Sequence, residues 1–252
     1  MDIELDQARI EAMMLAGVRI VAFLVIAPPF SYKGIPARIK AMLAVGLALV
    51  VSPRVTEGYA TGGTGQYVGA LVLELVIGAA LGFLVLVIFS AIQSAGALID
   101  LFGGFSLAQG FDPQSMVNGA QFARLFQLTA LTLLFTSDGY QLIIGGLMRT
   151  FNALPLGGAL DLAEPAEALT GAVTGLFLAS VQIAGPLIVV LFLADVGLGL
   201  LTRVAPALNA FALGFPLKIF ITLSLGGVVF VALPRVVATL TDEAAAALMG
   251  VG

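Results

Sequence analysis

The chain has 252 residues, 60% of them apolar and 10% charged, with a mean hydropathy of +1.10 and a formal net charge of −4. That composition exceeds what a soluble domain needs for a core, so the sequence reads as one integral membrane domain with no room for a separate soluble domain or a nucleotide site. Cys, His and Trp are absent, which excludes disulfides and thiolate metal sites and removes the usual nucleophile and metal constellations.

The N-terminus carries Asp2, Glu4, Asp6, Arg9 and Glu11, acidic where a secretory signal needs a basic region, so the first apolar run is expected to persist in the mature protein. Hydrophobic runs and breakers predict seven helical segments: Arg9 to Ala27, Pro36 to Val51, Tyr67 to Phe105, Ala120 to Ser137, Gly139 to Phe151, Ala166 to Arg203 and Phe211 to Leu240. The expected breakers are Pro28-Pro29, Ser52-Pro53, Gly62-Gly63, Asp112-Pro113, Ser137-Asp138-Gly139, Pro155 with Gly157-Gly158, and Pro206. Lys33, Arg38 and Lys40 cluster beside a membrane run, which points to a cytoplasmic loop.

Two predicted segments are too long for one perpendicular crossing, because about 38 residues extend some 57 Å against a hydrocarbon core of about 30 Å. They are expected to bend, break or leave the bilayer, with weak points at Gln93-Ser94-Ala95-Gly96 and at Gly185-Pro186, where hairpins are plausible. Gly78 with Gly82 and Gly171 with Gly175 each form GxxxG, a spacing that allows close helix approach inside the chain or between subunits. Glu74 lies one turn before Gly78 on the same face, so its carboxylate is expected at that close contact rather than in lipid.

From Ala194 to Ile219 the chain sets Asp195, Arg203, Asn209 and Lys218 among Gly and Pro. Ionisable groups at bilayer depth cost at least ~2.5 kcal/mol unless paired or wetted, which marks Asp195, Arg203, Lys218 and Glu74, with the polar Asn209 among them, as buried-charge or assembly candidates, and Arg19 and Asp100 are weighed alike. The stretch from Gly103 to Met116 combines flexible glycines, Phe and Met with a turn-forming Asp-Pro. It reads either as a connecting loop tucked against the bundle or as an apolar constriction that closes a pore by excluding water. No catalytic, cofactor-binding or metal-ligating residue is assigned, there is no Gly-Lys-Ser/Thr phosphate loop, and no nucleic-acid partner is expected.

Several short patterns follow one another nearly end to end: Pro29-Phe30 with Ile35-Pro36-Ala37-Arg38; Glu74, Gly78 and Gly82; Asp112-Pro113; and Thr150-Phe151-Asn152-Ala153-Leu154-Pro155-Leu156-Gly157. The most specific are Gly199-Leu200-Leu201-Thr202-Arg203-Val204-Ala205-Pro206, Leu208-Asn209-Ala210-Phe211 and Gly214-Phe215-Pro216-Leu217-Lys218. In this order and spacing the chain resembles the FliR family of flagellar biosynthetic proteins, which has a counterpart in virulence-associated type III secretion. It departs at Ala207, Tyr140 and Thr150, where that family usually carries Gln, His and Ser.

The resemblance implies an all-α membrane fold of long bent or broken helical hairpins, similar to a fusion of FliP-like and FliQ-like units. It implies a subunit of the flagellar export gate in the bacterial inner membrane, assembled with FliP-like and FliQ-like subunits and other export components. Unfolded flagellar proteins would pass through that gate, driven by the proton-motive force and by an ATPase elsewhere in the apparatus. By the same resemblance the segment from Phe105 to Asn118 maps to the plug of the closed channel, with Phe105, Phe111 and Met116 as gate residues. The alternatives are the virulence counterpart, with different cargo, and a secondary transporter for a small solute or ion that uses Glu74, Asp100 and Asp195.

Overall fold

The structure, a computed structural model, describes residues 7–105, 121–158, 163–205 and 210–250. Among them are seven helices: α1 (Gln7–Ile26), α2 (Ala37–Thr56), α3 (Thr64–Phe102), α4 (Gln121–Thr136), α5 (Gly139–Ala153), α6 (Ala163–Val204) and α7 (Ala210–Met249). The fold is all-α, as expected, and four stretches are long and apolar enough to cross a membrane: Ala37–Thr56, Thr64–Phe102, Glu167–Val204 and Leu213–Met249. Helices dominate because a chain in lipid must satisfy its own backbone hydrogen bonds within each segment.

The breakers at Pro28-Pro29, Gly62-Gly63, Ser137-Asp138-Gly139 and Pro155 to Gly158 fall between helices or at their ends as predicted. Asp138 turns the chain into α5 with a left-handed φ of 56°, a conformation that Asn and Asp tolerate better than most side chains. One proline and one helix end correct the sequence reading. Pro53 lies in the last turns of α2, and α7 runs through Pro216 and Pro234 to Met249, nine residues past the expected end. Pro186 is likewise inside α6.

No hairpin forms at either expected weak point, since α3 is continuous over 39 residues and α6 over 42. At ~1.5 Å per residue these helices extend about 58 and 63 Å. The reason at Gln93-Ser94-Ala95-Gly96 is packing: a Cβ at Gly96 would lie 2.6 Å from the Ala123 Cα and 2.7 Å from the Phe122 carbonyl oxygen. The glycine there lets a second helix approach and does not loosen its own.

The chain divides into two compact units, residues 1–88, 134–173 and 240–252 forming one, and 89–133 with 174–239 the other. In the first, α1 and α2 pack along each other, and α1 buries Leu15, Ala16, Arg19, Ile20, Phe23 and Leu24. The first half of α3 lies directly on α1, because Gly78 sits against the Arg19 carbonyl and Gly82 against the Phe23 carbonyl and Ile26. The end of α7 packs on α5 in the same manner, with Gly139 beside Thr241 and Gly146 beside Leu248. In the second unit the core follows an aromatic line, Phe105 to Phe122 to Phe126 to Phe230, with centroid separations of 5.3, 6.2 and 5.1 Å. All three pairs are edge-to-face, the arrangement that ring quadrupoles favour.

Candidate functional site

The charged groups on the apolar helices fall into three constellations. In the first unit Arg19 and Glu74 are both fully buried. The Arg19 Nε donates to Glu74 Oε2 at 2.5 Å. Its Nη2 donates to the Leu154 carbonyl at 2.9 Å and its Nη1, more weakly, to the Thr150 carbonyl at 3.4 Å. The guanidinium carbon stands 4.3 Å from the Phe151 ring centroid.

One cation therefore neutralises a carboxylate, occupies the carbonyl end of α5 where the helix dipole favours positive charge, and lies over an aromatic face. Glu74 does point into the close contact marked by Gly78, as its spacing implied. Its second oxygen, Oε1, has no partner among the described residues. Sequence spacing gave no access to the pairing itself, because Arg19 lies 55 residues upstream.

Asp100 forms the second constellation. It is buried, and its two oxygens accept from the backbone N–H groups of Phe122 and Ala123, each at 3.0 Å. Those amides open α4 and would otherwise be orphaned, so a carboxylate on the end of α3 caps the next helix. A cap reaching across 22 residues leaves no local signature. The usable signal was Gly96, one turn before Asp100 on the same face.

The third constellation lies on α6 and α7. Lys218 Nζ meets Asp195 Oδ2 at 2.7 Å, with 21% and 46% of the two side chains exposed. Phe192, Leu193 and Val196 on α6 and Leu217 and Phe220 on α7 are exposed beside them in sequence. Arg203 is exposed near the end of α6. Asn209 lies outside the described residues, as do two of the three gate candidates, Phe111 and Met116. Phe105 is half-buried and opens the aromatic line of the second unit.

The three carboxylates suggested for a solute site each have a partner of their own: Glu74 has Arg19, Asp100 the α4 amides, and Asp195 has Lys218. Among the described residues no three acidic side chains gather where a metal ion could bind. An open cleft of about 460 Å³ in the first unit is lined by Tyr59, Gln66, Tyr67, Leu73 and several glycines, with no charged side chain among them.

The sequence pattern of a known family, described as bacterial export proteins, family 1, matches residues 10–244. The chain belongs to that family. It is 35% identical to the flagellar biosynthetic protein FliR of Escherichia coli over 208 residues, covering 82% of this chain and 80% of that protein. It is 28% identical to the FliR of Bacillus subtilis over 218 residues, 84% and 83% of the two chains. It is also 28% identical to the surface presentation of antigens protein SpaR of Shigella flexneri over 197 residues, 75% and 74%. The family is one of export proteins and not of enzymes. With four helices suited to crossing a bilayer, this member is a multi-pass membrane component of a bacterial export apparatus.

Proposed function

We propose that the chain is a subunit of the flagellar type III protein export gate in the bacterial inner membrane. There it builds, with FliP-like and FliQ-like subunits, the channel through which unfolded flagellar proteins leave the cell. All 252 residues act in this reading as one export-gate domain, in which the two units share a role, and the helices follow a FliP-like plus FliQ-like plan. The observation that carries the proposal is the likeness to the flagellar FliR of Escherichia coli over four fifths of both chains.

The surface of α6 and α7 supports assembly. Only 22% of the apolar window of each helix is buried within the chain, and a lysine and an aspartate sit there beside Phe192, Leu193 and Phe220. A face covered solely by lipid has no use for an ion pair, whereas a partner helix can enclose one. Asp195, Arg203, Asn209 and Lys218 are assigned to assembly, Glu74 to holding α1 and α3 together, and Phe105, Phe111 and Met116 to closing the channel. The channel is passive at this subunit, and its energy comes from elsewhere in the apparatus.

The test is a pull-down of the tagged chain from its native host in mild detergent, followed by native mass measurement. FliP-like and FliQ-like proteins in one large assembly are the expected result, and a lone monomer or homodimer from a preparation that preserves membrane complexes would overturn it. The gate assignment has its own test. Replacing Phe105, Phe111 and Met116 together by Gly is expected to make the assembled, closed gate leaky to ions, and unchanged permeability with normal assembly removes the assignment. The SpaR likeness favours a second reading, the virulence counterpart, which genes for needle-complex rather than flagellar proteins beside this one would select.

A further inference from the structure

Within the first unit α2 has two faces of different character. Ala44, Ala48, Val51, Ser52 and Val55 are buried, and a Cβ at Gly17 of α1 would stand 3.9 Å from the Ala48 Cβ, so this side lies against α1. On the other side Met42, Val45, Leu49 and Val50 are between 56% and 75% exposed. Arg38 is exposed as well. Steps of four, three and four residues lead from it to Met42, Val45 and Leu49, which puts a guanidinium at the head of one apolar stripe. The loop into α2 adds two cations at the same end. A turn closed by the Ile35 N–H on the Tyr32 carbonyl at 3.1 Å carries exposed Lys33, and Lys40 is half-buried in the first turn of the helix. No acidic residue occurs between Glu11 and Glu57, and among the described residues the ion pairs are Arg19 with Glu74 and Lys218 with Asp195. Three positive charges therefore stand at one end of an apolar helix face with no carboxylate joined to them among the described residues.

We infer that this face of α2 is a binding site for an anionic phospholipid, whose phosphate is held by Lys33, Arg38 and Lys40 and whose acyl chains lie along Met42, Val45 and Leu49. The length fits. Exposed Arg54 closes the far end of α2, about 24 Å from Arg38 at ~1.5 Å per residue, and both side chains are long enough to reach outward, so the stripe matches a hydrocarbon core of about 30 Å with a cation at each border. The charge fits as well, since Glu57 follows Arg54 within one turn while the cations at the opposite border have no acid near them in sequence. A partner helix would be served by the apolar stripe alone, because helices in lipid are joined by close packing and by polar groups paired across the contact. A cluster of like charges at headgroup level has no such use, whereas an anionic headgroup attracts each lysine and arginine beside it. On α6 and α7, by contrast, the exposed apolar residues flank a lysine already joined to an aspartate, a pair that offers a phosphate no net charge. This role requires only that the chain span a membrane, and it holds whether or not the subunit belongs to a gate.

The full chain is purified from its host in mild detergent with the subunits that accompany it, and native mass spectrometry weighs the lipid it retains after exchange with phosphatidylglycerol or phosphatidylcholine. Phosphatidylglycerol is expected to be retained several-fold over phosphatidylcholine at equal concentration. A phosphatidylglycerol with a photoreactive group in its acyl chain is expected to label α2 between Met42 and Leu49. Lys33→Gln, Arg38→Gln and Lys40→Gln together should lower retention, on the order of fivefold for each cation removed, the usual strength of one lysine or arginine beside an anionic surface. None of the three side chains has an ion-pair partner among the described residues, so this variant should keep the thermal midpoint of the wild type. Lys33→Arg with Lys40→Arg retains the charge and should bind as the wild type does. Equal retention of the two lipids, undiminished binding in the glutamine variant, or an equal loss in the arginine variant overturns the assignment. A complex in which other helices are labelled and α2 is not also overturns it and gives this face to a partner subunit. Displacement by excess inorganic phosphate would overturn the lipid as occupant and leave a site for free phosphate.

Discussion

In the first unit Arg19 and Glu74 are fully buried and share one hydrogen bond, whereas in the second Lys218 and Asp195 meet at nearly the same separation with 21% and 46% of their side chains exposed. The first pair is surrounded by its own chain: the Thr150 and Leu154 carbonyls and the Phe151 ring take up what Glu74 leaves of the guanidinium. The second pair has apolar side chains of the same helices exposed beside it. Equal chemistry at equal distance thus serves two ends. A charge that is satisfied within the chain fixes the fold, and one left half-covered on an apolar surface is what the proposed assembly would use.

The sharpest way to break that comparison is to remove one member of the buried pair. Glu74→Ala leaves a buried guanidinium without its anion, and breaking a buried pair in this manner costs ~3–5 kcal/mol. The expected outcome is a large fall in the thermal midpoint of the detergent-solubilised chain. Replacing both residues by Leu should recover part of it, because no charge is then stranded, although the carbonyl end of α5 still loses its cation. A double variant as unstable as the single one would show that Arg19 matters for the α5 carbonyls and hardly for Glu74.

Glycines give the next largest contrast. A Cβ at Gly78 would collide with the Arg19 carbonyl of α1, while at Gly171 it would meet nothing within 4 Å. Gly78→Ala should therefore separate α1 from α3 and destabilise the chain by ~1–3 kcal/mol, the usual range for overpacking. Gly171→Ala should leave the thermal midpoint of the isolated chain unchanged. Equal losses in the two variants would mean that close approach at Gly78 does not hold the first unit together.

Lys218→Ala should have a smaller effect on the chain itself. Its partner is nearly half exposed, so the pair contributes no more than ~1 kcal/mol after screening. The predicted loss is in the yield of complex with FliP-like partners, at unchanged membrane insertion. Intact complexes from Lys218→Ala and Arg203→Ala would count against these charges as determinants of assembly.

What the sequence disclosed follows the range of the physics involved. Hydrophobic runs and turn chemistry are local, so the helices came out with ends mostly within a few residues. The sequence misled at Pro53 because a missing N–H ends a helix in water more readily than in a bundle, where neighbours can satisfy the freed carbonyl. The long apolar runs were legible as long helices, yet the glycine at position 96 was read for its effect on its own helix when its partner was α4. Glu74 was placed on the correct face by its spacing to Gly78. Its partner Arg19 and the α4 cap by Asp100 were invisible, since tertiary pairings across 55 and 22 residues leave no periodicity.

At the edge of the first unit a third, weaker arrangement extends the comparison. The Tyr59 hydroxyl donates to Glu11 Oε2 at 3.3 Å in the loop between α2 and α3. Burial, and then the adjacent Glu11 carboxylate, raise the Tyr59 phenol above its ordinary value of 10.0, because both disfavour a phenolate there. A folded pKa raised above the unfolded one means that the proton is held more tightly in the folded chain. The resulting stability is fully present below about pH 10 and is lost as pH rises through the folded value. Ultraviolet titration of phenolate formation should show one tyrosine ionising late in the wild type. In Glu11→Gln that tyrosine should ionise earlier yet still above its ordinary value, since burial, the larger cause, remains. Full return to the ordinary value in Glu11→Gln would reverse that order and make the carboxylate the main cause, which is the outcome that would place Tyr59 with the exposed pair on α6 and α7 rather than with the buried one on α1 and α3.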